Sequence, residues 1–166
     1  MKHKYTPNKP RWSKTKRDIE SLFADGLDLQ IHANVYTHGS GPSQQQLPRH
    51  YAVLDGTIIW DFPHDYLASV NPDADRVIPY PLYPYWKGLG NKSDPASIFR
   101  DYIDTPRDEL LTREIEHDDH DLGDILRAAD RRIGRTRLFA WALVKLPRFD
   151  CPARKVLKAR FNTDPR

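Results

Sequence analysis

Two stretches decide the fold: Leu27-Asp28-Leu29-Gln30-Ile31-His32-Ala33-Asn34-Val35-Tyr36 and Tyr51-Ala52-Val53-Leu54-Asp55-Gly56-Thr57-Ile58-Ile59-Trp60-Asp61-Phe62. In the first, apolar and polar residues alternate. Successive strand side chains point to opposite faces, so this period of two predicts a strand with one buried face. In the second, Asp55-Gly56 divides two apolar runs. That dipeptide accepts the positive φ angles of a type I′ turn, which predicts a tight hairpin of 51–54 with 57–62. Three strands with one apolar face need a cover, and the residues just upstream supply it. Trp12, Thr15, Ile19, Leu22 and Phe23 fall on one helical stripe with Lys14, Arg17, Asp18 and Glu20 off it. Ser13 or Thr15 is the expected cap of that helix and Gly26 its expected stop.

Outward from this nucleus the signals change. Residues 37–48 contain Gly39, Ser40, Gly41, Pro42 and three glutamines, and read as a long exposed loop. Between Pro72 and Gly90, Pro79, Pro81 and Pro84 interleave with Tyr80, Tyr83, Tyr85 and Trp86. Proline at that density excludes regular helix and central strand, which leaves either an extended connector whose rings pack on the sheet or a polyproline-like segment that meets a partner. Beyond Lys92 the chain reads as helical. Ser93 or Asp94 with Pro95 opens a helix with Ile98, Phe99, Tyr102 and Ile103, and Thr105, Pro106 and Asp108 open a second with Leu110, Leu111 and Ile115. Asp121 opens a third through Leu122, Ile125, Leu126, Ala129 and Ile133, stopped by Gly134. The run 138–146 is apolar almost throughout and leans to helix, and 150–161 reads as a short final helix. The predicted fold class is therefore α+β: an N-terminal helix packed on a small antiparallel β-meander, followed by a helical C-terminal half. Residues 1–10 read as a flexible basic arm and 11–166 as a single domain.

Composition bounds what such a chain does. With 166 residues, 39% apolar and 11% aromatic, it can bury a core without staples. Cys151 is the single cysteine, so no intramolecular disulfide or cysteine zinc cluster exists, which fits a reducing, cytoplasmic setting, and Cys151 itself reads as buried filler. The run 138–146 is too short to span a bilayer, and the basic N-terminus lacks the apolar stretch of a signal peptide. The net charge of +3 hides basic ends around an acidic middle, from Asp101 to Asp124.

A search for chemistry finds side chains of the right type without a recognisable constellation. His32, Tyr36 and His38 are expected on one face of the first strand, where they could meet His50 and His64 in a polar cleft, but no nucleophile or base stands at a known spacing. His117 and His120, three apart among acids, are the metal candidate, read here more simply as an interhelical loop. No phosphate-binding glycine loop is present. Arg127, Arg131, Arg132, Arg135 and Arg137, with the basic arm and Trp12, are the candidates for phosphate contacts.

Several blocks carry a resemblance. Arg11-Trp12-Ser13-Lys14-Thr15-Lys16 with Glu20, His32 with Tyr36, the Asp55-Gly56 hairpin with Ile59 and Phe62, and the block from Asp124 to Arg135 resemble a group of uncharacterised bacterial proteins. The overall look is similar to hypothetical proteins carried on integron gene cassettes. The resemblance implies a bacterial origin and agrees with the α+β reading; it brings no activity and no catalytic residues.

These readings favour a non-enzymatic accessory or interaction protein, with no cofactor and no metal. Its expected binding residues are Trp12, His32, Tyr36, Tyr80, Tyr83, Tyr85 and Trp86. The expected ligand is a partner protein, with self-association open and no membrane involved. The alternatives are a basic nucleic-acid-binding accessory, and a cryptic enzyme or metal protein built on His32, His38 and His50 or on His117 and His120.

Overall fold

The structure, a computed structural model, describes residues 12–38, 45–62, 95–115, 118 and 121–163. In chain order these form α1 (Trp12–Glu20), β1 (Leu29–His38), β2 (Gln45–Leu54), β3 (Thr57–Phe62), α2 (Pro95–Ile103), α3 (Leu122–Ala129), α4 (Arg135–Lys145) and α5 (Pro152–Phe161). The strands make one antiparallel meander in the order β1-β2-β3. The N-terminal helix, the three-stranded sheet and the C-terminal helices are the expected α+β architecture.

The hairpin turn behaves as its dipeptide predicts: Asp55 and Gly56 have φ of 48° and 77°, and Leu54 pairs with Thr57. Beyond it the register slips. Val53 pairs with Ile58 but Ala52 pairs with Trp60, so Ile59 is an extra residue on β3. The bulge resets the side-chain parity of the strand, which leaves Ile58 facing outward and turns Trp60 into the core beside Ala52. Leu29, Ile31, Ala52, Leu54 and Trp60 form the buried face, as the alternation in β1 requires.

The expected loop at 37–48 is shorter than composition suggested. Thr37 pairs with Gln46 and His38 with Gln45, so both strands run on through the polar segment. Pro48, paired with Val35, lies in the part of β2 that β3 does not reach, so its missing N–H removes no β2–β3 bond.

Three further expectations are corrected. α1 ends at Glu20, and Thr15 does not cap it: the residue is buried and its hydroxyl has no hydrogen-bond partner. Leu22 and Phe23 continue as a turn that pairs with the far half of the chain, Ala24 N–H donating to Ala129 O and Arg131 N–H to Leu22 O, both at 2.8 Å. Residues 106–115 are successive turns, not a helix, because their carbonyls are claimed elsewhere: Arg127 Nε donates to Leu110 O at 2.9 Å and Arg127 Nη2 to Arg113 O at 2.8 Å. α3 stops at Ala129, short of Ile133, and Gly134 is the N-cap of α4. The run 138–146 is helical, as its lean suggested, yet one side of it stands in solvent.

α2 buries Ile98, Phe99 and Tyr102, and α3 buries Leu122, Ile125, Leu126 and Ala129. With the sheet face, Leu138, Val156 and Leu157, these make one contiguous core across both halves of the chain. Cys151 is half-buried at the N-cap of α5 rather than fully enclosed.

Candidate functional site

The polar centre of the molecule lies in the block from Asp124 to Arg135. Asp130, with no exposed surface, accepts from the Tyr102 hydroxyl at 2.9 Å and from Arg132 Nη2 at 2.7 Å, while its Oδ1 takes the Arg132 N–H at 2.8 Å. Burial, followed by the Asp130 charge, pushes the Tyr102 hydroxyl well above 10.0, so this phenol stays a donor. From the other side Arg160 donates to the carbonyls of Ala128, Asp130 and Ile133 at 3.0, 2.9 and 2.9 Å. A cation thus collects carbonyls at the end of α3 and in the turn that follows it. Every one of these groups is occupied in joining α2, α3 and α5, which is a structural duty.

A second polar group lies at the other end of α3. Asp121, the N-cap residue, has φ of 59° and makes no side-chain cap. Asp118 does that work: its Oδ1 accepts Leu122 N–H at 2.9 Å and its Oδ2 accepts Gly123 N–H at 2.7 Å. Burial raises the carboxyls of Asp118 and Asp124, against the pull of these N–H groups and of Arg127. Asp118, Asp121, Asp124, Arg127 and Trp141 line a cleft of about 350 Å³. Among the described residues no three His, Cys, Asp or Glu side chains converge as a metal site. His117 and His120 lie outside the described residues.

The expected binding residues are spread over different places. Trp12 is half-buried between His50 and Phe99, at ring distances of 5.3 and 5.6 Å. His32 stacks on Tyr51 at 4.9 Å with a 15° tilt. Its partners in register, His32 with Tyr51 and Ala33 with His50, put His32 and His50 on opposite faces of the sheet. His50 is buried under α1, so the cleft of His32 with His50 does not form. Tyr36 and His38 lie in β1, known by their backbone pairing. His64, Tyr80, Tyr83, Tyr85 and Trp86 fall outside the described residues.

The arginine run expected to meet phosphates is divided: Arg127 and Arg132 are turned inward, while Arg131, Arg135 and Arg137 are exposed. Arg127 is buried in carbonyl and Asp124 contacts, Arg132 is paired with Asp130, and Arg135 lies over the rings of Phe139 and Phe161 at 5.1 and 5.8 Å. A period argument cannot see this, because arginines at helical spacing look the same whether they face water or clamp a neighbour.

Two surface features emerge that the sequence reading missed. Leu143, Val144 and Phe149, at the end of α4 and in the turn after it, are 54%, 80% and 72% exposed. A groove of about 670 Å³ runs between α5 and the hairpin turn, lined by Leu54, Asp55, Arg148, Arg154, Lys155 and Lys158 among others. The signal for the first was in the continuous apolar run 138–146: α4 buries Leu138, Trp141 and Ala142, while Leu143 and Val144 stay exposed.

Comparison with known proteins gives one finding. Residues 11–78 match the model of the SF0329 protein family, an uncharacterised family. The match takes in α1 and the whole meander; the block from Asp124 to Arg135, which also carried the resemblance, lies outside it. No curated protein and no solved structure matches the chain.

Proposed function

We propose that this protein is a non-enzymatic accessory protein that works by holding another protein, and that the end of α4 is where it does so. The observation that supports this reading is the group of Leu143, Val144 and Phe149: three large apolar side chains, each more than half exposed, within seven residues of chain. Single exposed apolar residues are ordinary, but a cluster is costly in water and is characteristic of surfaces that become covered. The ionisable side chains with the richest surroundings, Asp130, Arg132, Tyr102 and Asp118, are meanwhile engaged in holding elements together. A bacterial, cytoplasmic setting and an origin on a mobile cassette belong to the same proposal; they rest on the resemblance of the sequence blocks and on the single cysteine. Among the described residues no helix is long and apolar enough to cross a membrane.

The test is affinity capture from a bacterial lysate with the wild type and a Val144→Asp/Phe149→Asp variant, followed by calorimetry with the purified captured protein. Both positions are exposed, so the variant should melt with the wild type. The expected result is a partner bound by the wild type with a negative heat-capacity change and lost by the variant. Equal binding by the variant, or turnover of a substrate by both, overturns the reading.

A further inference from the structure

The surroundings of the apolar group on α4 select the protein that covers it. Arg137, Ala140 and Val144, at i, i+3 and i+7, form one exposed stripe of the helix, with Leu143 beside Val144. Charge is divided along this surface. Arg137 stands at the start of the stripe, about 10 Å along the axis from Val144. At the other end Lys145 and Trp141 line the cleft of about 350 Å³ that also holds Glu114, Asp121 and Asp124. Asp124 is engaged by Arg127 at 2.9 Å. Glu114 and Asp121 are exposed, and among the described residues neither they nor Arg137 make a hydrogen bond or ion pair through the side chain.

We propose that this surface docks a second copy of the chain, with the two α4 helices antiparallel about a two-fold axis near Ala140. The inference rests on the reading that the end of α4 holds a protein, and names that protein. Two arguments select it. An isologous interface needs a patch that complements itself, so that what one copy offers at one end the other accepts at the opposite end. An antiparallel pairing sets Arg137 of each copy level with Val144 and Lys145 of the other, beside the exposed Glu114 and Asp121 carboxylates, and forms the same charge pair twice. Leu143 and Val144 then lie against Ala140, whose small side chain lets two helices approach, and against the aliphatic stem of Arg137. The second argument is exclusion by charge. An acidic partner or an anionic membrane that meets Arg137 also brings negative charge onto Glu114 and Asp121, and a basic partner meets Arg137 and Lys145 with like charge.

Sedimentation equilibrium of the full chain over a concentration series is the test. The expected result is a monomer–dimer equilibrium that weakens with salt. Val144→Asp should weaken the dimer about a hundredfold, since it places two carboxylates in the apolar centre. Arg137→Glu and Glu114→Arg should each weaken it about tenfold, and the double variant, which exchanges the two charges, should recover most of that loss. Lys158→Ala, exposed on α5, should change nothing. All these positions are exposed, so the variants should melt with the wild type. A chain that stays monomeric, a dimer untouched by Val144→Asp, or a double variant no better than the singles overturns the proposal. A monomer that floats with phosphatidylglycerol vesicles does so as well. A monomer that still captures a lysate protein, lost in Val144→Asp/Phe149→Asp, overturns the second copy alone and leaves the protein-holding reading standing.

Discussion

Glu20 accepts the backbone N–H of Ile31 at 2.9 Å, and in doing so it stands where a further strand would. β1 is the edge of the meander, and Ile31 has its backbone turned outward from β2. The Lys16 ammonium donates to the carbonyl of the same residue at 2.6 Å and also pairs with Glu20. One turn of α1 thus supplies both a donor and an acceptor to a single edge residue. The arrangement satisfies the strand and blocks the edge against pairing with another chain.

Glu20→Ala should therefore cost about 1–2 kcal/mol in urea unfolding, the loss of one partly buried acceptor. It should also speed amide exchange at Ile31 more than at its neighbours in β1. Glu20→Gln, which keeps an acceptor oxygen, should lose less. Unchanged exchange at Ile31 in the alanine variant would show that the helix does not protect this edge.

Asp130 offers the sharper contrast. Removing it with Asp130→Ala leaves Arg132 half-buried without its carboxylate and Tyr102 without its acceptor, so the expected loss is about 3–5 kcal/mol. Tyr102→Phe removes only the hydroxyl, leaving Asp130 with Arg132, and should cost about 1 kcal/mol. Chemical denaturation of the two variants and of the double variant tests the coupling: if the buried carboxylate links them, the combined loss falls short of the sum.

How much of this was legible in sequence follows from the range of the forces involved. The alternation at the start of β1, with Leu29 and Ile31 buried, and the Asp55-Gly56 turn are local, since side-chain parity and φ are set by neighbours, and both stand as read. The bulge at Ile59 is not local, because only the need to bury Trp60 beside Ala52 reveals it. The segment 106–115 has a helix-like apolar pattern, but a single arginine seventeen residues downstream of Leu110 takes its carbonyls and holds it as turns. The same residue shows why helical spacing alone does not define a phosphate surface, since Arg127 belongs to the run and is buried. The groove along α5 was hidden for another reason: its cations are local, within residues 148–158, but its opposite wall is Leu54 and Asp55, and only the packing of the hairpin turn opposite α5 makes a groove of them.

Gly123 and Asp118 give a prediction against the usual trend. Glycine inside a helix is ordinarily improved by alanine, by roughly 1 kcal/mol. Here a Cβ on Gly123 would lie 2.6 Å from Asp118 Oδ2 and 2.7 Å from Ile115 Cδ1. Gly123→Ala should therefore destabilise the protein, by displacing the carboxylate that caps α3. Asp118→Ala should cost about 1–2 kcal/mol through the lost cap. In the Asp118→Ala background the Gly123→Ala penalty should shrink, since one of the two clashing atoms is gone. Thermal melts of the four proteins decide it, and a stabilising Gly123→Ala in the wild-type background would contradict the close approach.

His32 predicts a pH dependence. Burial, with the Lys16 charge beside it, holds the imidazole below 6.5, and the opposing pull of Glu20 is the smaller effect. In the unfolded chain a histidine titrates near 6.5, so on acidification the unfolded state takes up the proton first. The contribution of neutral His32, stacked on Tyr51, is complete above that value and is lost as the pH falls from it toward the lowered value of the folded protein. Between about pH 7 and pH 5 the wild type should therefore lose more stability than His32→Gln, which cannot charge. Urea midpoints measured across that range check the difference. Parallel profiles for the two proteins would mean that the imidazole titrates alike in both states.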